Sequence, residues 1–225
     1  MGLAYYCSKN ALPCDNKIKQ MVVDGIYYAL GLAAGGAVTG YLLNPYWGTP
    51  FYILALFCLY FFRDPNREVP PGPVAVSPAD GKVVSIKAES PQLTRVSIFL
   101  NIFDVHVNRA PVDGKISQVR YQTGKFLVAS RELASSQNEQ NTATVVEADG
   151  TQVVFSQIAG LIARRIVFRK KIGDTVAKGE RVGLIKFGSR VDVFFGPEWE
   201  LAVKSGERVS AGSSILARRK RGHVA

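Results

Sequence analysis

Apolar and polar positions divide the chain into a first stretch of long unbroken apolar runs and a remainder of short alternating ones. Ile26 to Leu43 is 18 residues without a charge, and Tyr46 to Phe62 is 17. A helix that crosses a bilayer needs about 20 apolar residues, with about 17 as the lower limit. Asn44-Pro45 and Gly48-Thr49-Pro50 interrupt the apolar stretch, so it reads as two helices in a tight hairpin. Gly31, Gly35, Gly36 and Gly40 gather on the first helix, where small residues let two helices approach closely. From Val74 onward the period becomes two. Val83–Ile86, Thr94–Leu100, Lys115–Tyr121, Thr142–Glu147, Gln152–Ile158, Val191–Phe195 and Trp199–Val203 each read as a strand bounded by turn residues. Asp80-Gly81, Asp113-Gly114 and Asp149-Gly150 are hairpin signals. Residues 130 to 141 read as a polar surface loop, and only Ile158 to Phe168 and parts of 123 to 135 have room for short helices.

These patterns divide the chain into a polar, irregular tail (1–20), a hairpin (21–63), a linker (64–73) and a β domain (74–225). Met21 is an alternative start. The linker carries four prolines between positions 65 and 73, which forbid a continuing helix and stiffen the exit. An internal repeat lies in the β domain. Gly173-Asp174-Thr175-Val176 with Gly179 and Val182 returns 33 residues later as Gly206-Glu207-Arg208-Val209 with Gly212 and Ile215. Asp80-Gly81-Lys82 and Asp113-Gly114-Lys115 are also 33 apart. The expected fold is mostly β: a compact sandwich or half-barrel built partly from duplicated turn-and-strand units, preceded by the helical hairpin.

Composition narrows the class. Hydrophobic residues make up 47% of the chain, with the excess before residue 63, and the net charge is +10. A basic surface suits nucleic acid or an anionic membrane. No zinc-finger spacing, RNP-like aromatic motif or helix-turn-helix pattern is present, so nucleic acid is set aside and the apolar hairpin points to membrane. Lys17 and Lys19 before the hairpin, with Arg63 and Arg67 after it, place both ends and the β domain on the cytoplasmic side of the cell membrane. A hairpin that dips into one leaflet stays open. A cleaved signal peptide, suggested by Ala33-Ala34-Gly35-Gly36-Ala37, is disfavoured by the second apolar run. The cysteines Cys7, Cys14 and Cys58 have neither disulfide nor metal spacing, and two histidines, His106 and His223, exclude a multi-histidine metal site.

The chemistry centres on Lys186-Phe187-Gly188-Ser189-Arg190-Val191-Asp192-Val193, where a Gly-Ser step lies between two strand-like segments. A serine there can turn its hydroxyl onto the preceding carbonyl, and strain would make an N→O acyl shift plausible chemistry. Gly212-Ser213 is a second Gly-Ser step, inside the repeat, and reads as an ordinary turn. Phe187-Gly188-Ser189-Arg190-Val191-Asp192-Val193 follows Ser77-Pro78-Ala79-Asp80-Gly81-Lys82-Val83 and Asp104-Val105-His106-Val107-Asn108-Arg109. This ordered trio resembles the phosphatidylserine decarboxylase family, in its short form, from about residue 60 to residue 217.

The resemblance implies a proenzyme that cuts itself between Gly188 and Ser189 into 1–188 and 189–225. Ser189 would become a pyruvoyl group, which forms a Schiff base with the substrate amine and acts as the electron sink for decarboxylation. The implied reaction turns phosphatidylserine into phosphatidylethanolamine and CO2. The implied partners are phosphatidylserine in an anionic membrane and the two fragments themselves, as a heterodimer, with homo-oligomerisation open. Alternation puts Asp104, His106 and Asn108 on one strand face. His106 is the implied catalytic acid, and Asp80 the implied aspartate that orients a base. Longer members carry a second histidine three positions after the first, assigned to a Ser-His-Asp triad for self-cleavage; this chain has Arg109 there. Either His106 serves both reactions, or cleavage relies on strain and Asp80. Arg109 and Arg190 are candidate contacts for lipid phosphate or substrate carboxylate by charge, whereas Lys82 reads as a solvated surface residue. Two other readings remain: a membrane-anchored lipoyl-like adaptor module, supported by the repeat, and a membrane serine peptidase.

Overall fold

A computed structural model of the full chain describes residues 14–125, 127, 133–160, 166–185 and 189–220, with side chains of the first helix described from Gly25 onward. Helix α1 (Cys14–Leu42) and helix α2 (Pro45–Phe61) form the hairpin. Asn44 is extended, and its side chain accepts a hydrogen bond from Tyr46 N at 3.1 Å, with Pro45 in the first helical position. This is the chemistry that starts a helix. Two expectations are corrected. Residues 14–20 are helical rather than irregular. Gly48-Thr49-Pro50 lies inside α2 instead of breaking it. Pro50 lies in the second turn, where it lacks the N–H that would bond the Tyr46 carbonyl, yet α2 continues past it to Phe61. Gly48 is the crossing point of the hairpin, because a Cβ there would sit 2.6 Å from the Gly36 carbonyl oxygen. Gly31, by contrast, faces open space. No helix among the described residues is long and apolar enough to cross a membrane.

The β domain runs through β1 (Val74–Val76), β2 (Gly81–Ser90), β3 (Leu93–Leu100), β4 (Val107–Arg109) and β5 (Gly114–Gln122). A short helix α3 (Ala134–Gln137) precedes β6 (Gln140–Val146), β7 (Gln152–Ile158), β8 (Ile166–Phe168), β9 (Thr175–Val176) and β10 (Arg181–Ile185). The chain closes with β11 (Ser189–Phe195), β12 (Trp199–Leu201), β13 (Arg208–Val209) and β14 (Ile215–Arg219). Eight strands form one curled sheet in the order β13-β2-β3-β11-β7-β6-β5-β9, and two three-stranded sheets, β4-β10-β8 and β1-β14-β12, complete the mostly β fold. Alternate residues of β3, β7 and β11, among them Val96, Ile98, Phe155, Val191 and Val193, fill the core between the sheets. The segment after residue 188 is woven into what precedes it. β11 lies between β3 and β7, β13 pairs β2, and β14 pairs β1.

The repeat is physical. β9 pairs the start of β5 (Gly114↔Val176, Lys115↔Thr175), and β13 pairs the start of β2 (Gly81↔Val209, Lys82↔Arg208), so the two units form the two edges of the large sheet. Asp113 accepts from Lys178 N at 2.9 Å, as Asp80 accepts from Ala211 N at 2.7 Å. Only Asp149-Gly150 therefore closes a hairpin, between β6 and β7. The other two Asp-Gly steps open strands whose predecessors lie in other sheets. Glycine is required at position 81 because φ is +149° and a Cβ would run into the Phe99 carbonyl. The helix expected in Ile158 to Phe168 is also corrected, since Ile158 ends β7 and Ile166–Phe168 is β8, while 161–165 lie outside the described residues. Within the expected polar loop, α3 and buried Asn138 are structural, with the Asn138 amide donating to the carbonyls of Leu127 and Ala159.

Candidate active site

Ser189 opens β11, fully buried opposite Leu100 of β3, and its Oγ has no hydrogen-bond partner among the described residues. It shares a sheet face with core residues Val191 and Val193, which turns the hydroxyl away from solvent. Gly188, the other half of the step, lies outside the described residues, as does His223. The chain leaves the small sheet at Ile185, whose N–H donates to the His106 carbonyl at 3.3 Å, and enters the large sheet at Ser189.

His106 follows a turn, not a strand. Asn101 and Asp104 brace that turn: Asn101 N donates to the Asp104 carboxylate (2.9 Å) and Phe103 N to Asn101 Oδ1 (2.7 Å). Such side-chain bonds outcompete a strand ladder, so the expected alternation begins only at Val107. The His106 Nδ1 lies 2.8 Å from the Asp104 carbonyl oxygen. A carbonyl only accepts, so Nδ1 carries the proton and Nε2 presents a lone pair. Nε2 is buried and without a partner among the described residues. Burial pulls the imidazole pKa down to about 4; the Asp104 carbonyl and charge oppose this, and the Arg63 charge adds to it. His106 is therefore neutral at pH 7 and equipped as a base.

The hairpin covers this imidazole. The Phe61 ring packs on the His106 ring with centroids 4.3 Å apart, in a buried apolar cluster with Phe62, Val105, Val107 and Leu184. Sequence reasoning missed Phe61, which sat inside an apolar run that looked committed to lipid. A buried amide chain was also missed: Asn141 donates to Gln157 (3.3 Å), Gln157 to Asn108 (2.8 Å), and Asn108 to the Pro78 carbonyl (3.4 Å). Polar residues at inward positions of otherwise alternating strands were its only signal. Asn108 thus serves this chain rather than His106.

The remaining expected residues are placed as follows. Asp80 makes no hydrogen bond to His106. Its carboxylate accepts from Ala211 N and from Arg67 Nη2, both at 2.7 Å, and burial raises its pKa against those two partners. Arg109 is buried and donates to Asp64 at 2.9 Å and to the carbonyls of Gly179 (3.0 Å) and Pro65 (3.1 Å). It fastens the linker, and Asp64 also pairs with Arg181. Arg190 is 1% exposed, bonded to Asp192 and Ser97 at 2.6 Å each. Alternation puts it on the sheet face opposite Ser189, where Asp192 also meets Arg95 and Ser135. Both arginines are thus engaged inside the fold, which explains their burial. Lys82 is exposed and Gly212-Ser213 lies in a turn, as expected.

A β domain that buries a serine hydroxyl at a strand head and an imidazole nitrogen near the same sheet junction, neither bonded among the described residues, has the groups that a protein acting covalently on its own chain requires. The phosphatidylserine decarboxylase family model matches residues 54–217. The phosphatidylserine decarboxylase proenzyme of Solibacter usitatus (strain Ellin6076) is 65% identical over 200 residues, covering 89% of this chain and 97% of that protein. The proenzyme of Erythrobacter litoralis (strain HTCC2594) is 45% identical over 214 residues (87% and 86%), and that of Ralstonia nicotianae (strain ATCC BAA-1114 / GMI1000) 48% over 177 (76% and 82%). The chain belongs to the phosphatidylserine decarboxylase family.

Proposed function

We propose that this protein is a self-processing, pyruvoyl-dependent phosphatidylserine decarboxylase cut between Gly188 and Ser189. The observation that carries the reading is the pair of buried atoms, Ser189 Oγ and His106 Nε2, both without a partner among the described residues, in a chain of this family. The lipoyl-like adaptor and peptidase readings are not favoured. Ser189 Oγ attacks the carbonyl of residue 188, its proton passing to His106 Nε2 and then to the departing Ser189 nitrogen as the peptide C–N bond breaks. His106 Nε2, neutral again, takes the Ser189 α-proton as the Cβ–O bond breaks, which expels the residue 188 carboxylate and leaves a dehydroalanine at the head of β11. Water then replaces its nitrogen, releasing ammonia and leaving a ketone. The buried hydroxyl fits this precursor role. The pyruvoyl ketone supplies an electrophile for the substrate amine and a sink for the electron pair left by CO2. His106 Nε2 relays a proton from water to the substrate carbon once CO2 has left, so one imidazole serves both reactions. Asp80 contributes by holding Arg67 of the linker beside the site, and Arg109 and Arg190 contribute as framework.

The substrate resides in lipid, and the hairpin faces outward with Tyr41, Leu42, Tyr46, Trp47, Ile53 and Leu56 exposed. With the net charge of +10, this fits embedding of the hairpin in one leaflet of an anionic membrane, the β domain on the side of both hairpin ends. Intact mass tests the central claim. The wild type is expected to yield residues 1–188 and a 37-residue fragment, 189–225, blocked by pyruvoyl, while Ser189→Ala stays whole and inactive. An intact wild-type chain with decarboxylase activity refutes it.

A further inference from the structure

From the packing at the hairpin exit we infer that the end of α2 is a positioning element of the active site, in which Phe61, backed by Phe62 and α1, holds the His106 imidazole in place. This rests on the function proposed above and assigns the hairpin a second duty, distinct from contact with lipid.

The contacts form an unbroken series. Phe61 stacks on His106 at 4.3 Å, and Phe62 meets Phe61 edge-on at 5.1 Å. Phe62 in turn packs against α1 at Gly25, where an added Cβ would lie 2.5 Å from Phe62 Cβ. The exit is clamped on its other side. Tyr60 OH (3.3 Å) and Arg63 Nη2 (2.7 Å) both donate to the carbonyl of Phe103, in the turn that carries His106. One residue further, Asp64 pairs with Arg109 of β4 and Arg181 of β10, the strands flanking His106. The hairpin exit thus grips the turn that carries His106, and the first linker residue grips the neighbouring strands β4 and β10. An apolar ring on the imidazole face excludes water from it, which favours the neutral form. Among the described residues, the charged groups around His106 are Arg63 from the hairpin exit, Asp104 from its own turn, Arg208 of β13 paired with Asp104, and Asp80, whose charge acts on Asp104. Truncating Phe61 leaves every one of these charges in place and removes the cover alone.

The test compares the self-cleavage rate at pH 5 and pH 7.5 in full-length chains made by cell-free translation with anionic vesicles, and follows fragment appearance on a gel. With the imidazole pKa near 4, wild type should cleave at pH 5 almost as fast as at pH 7.5. If Phe61→Ala returns His106 to its ordinary pKa of about 6.5, cleavage should slow about 30-fold between the two pH values. Phe61→Leu keeps the imidazole covered and should restore a ratio near that of wild type. Gly25→Ala displaces Phe62 from a position outside the site, in a helix that alanine favours, and should shift the ratio in the same direction. A residue that only stabilised the fold would lower cleavage equally at both pH values. A cleaving wild type with Phe61→Ala and Gly25→Ala both keeping its pH ratio overturns the inference and spares the proposed function. If Phe61→Ala does not fold, the Gly25→Ala ratio decides alone. A wild type that never cleaves removes both.

Discussion

His106 owes its chemistry to one backbone atom. The Asp104 carbonyl, 2.8 Å from Nδ1, assigns the tautomer that a carboxylate would otherwise assign. Burial then keeps that tautomer neutral. The linked stability has a definite sign. The folded pKa, about 4, lies below the unfolded one, so between pH 6.5 and 4 the unfolded chain binds the extra proton and stability falls as pH drops. The full loss is about 3 kcal/mol. Asp80 and Glu147, whose pKa values burial raises, work in the opposite direction, so the effect must be read between variants. In a Ser189→Ala background, His106→Gln should lose less stability than its parent between pH 7 and pH 4.5, measured as urea midpoints. Equal losses would show that His106 is not buried neutral. Ser189 and His106 were legible in the sequence as members of an ordered motif. The Asp104 carbonyl was not, because turn geometry set by Asn101 and Asp104 leaves no period to read.

At the scale of elements, the duplicated unit separates two kinds of aspartate. Asp80 and Asp113 hold equivalent loop N–H groups, at Ala211 and Lys178, but only Asp80 also holds Arg67 of the linker. Asp113→Asn should leave self-cleavage near wild type, whereas Asp80→Asn, which weakens the linker anchor beside the site, should slow it by about tenfold, roughly one charge-assisted hydrogen bond. A gel time course decides; equal rates in the two variants would make Asp80 purely architectural. Strands of seven or more residues, such as β3, β6 and β7, were readable from alternation. β9 and β13 are two residues each and were readable only through their repeat. β1 and β8, three residues each, exist because neighbouring strands hold them in place, so their own sequence carried no periodic signal, whereas β4 was readable as the end of a longer alternating stretch whose first half is a turn.

For the whole molecule, the two tryptophans report on opposite ends. Trp47 in the hairpin is 64% exposed, while Trp199 is buried against Phe195. Vesicles of anionic lipid with brominated acyl chains should quench Trp47 and spare Trp199, and Trp47→Phe should abolish most of the quenching. Unchanged wild-type fluorescence would place the hairpin outside lipid. The hairpin itself was readable as two apolar runs with a polar break. Its docking onto the β domain was not, because Phe61 and Phe62 look the same in sequence whether they meet lipid or an imidazole.

The weaving of β11, β13 and β14 through strands that precede residue 188 also bears on what happens when the mature protein is lost. The precursor folds as a single molecule, with the cost of bringing β11 between β3 and β7 limited by chain connectivity. After the proposed cut, the same arrangement would have to form from two separate pieces, at a rate that depends on their concentration. Unfolding then becomes effectively a one-way event for a dilute enzyme, and its working lifetime is set by how slowly the sheet opens. New activity would come from newly made chains, not from refolded old ones.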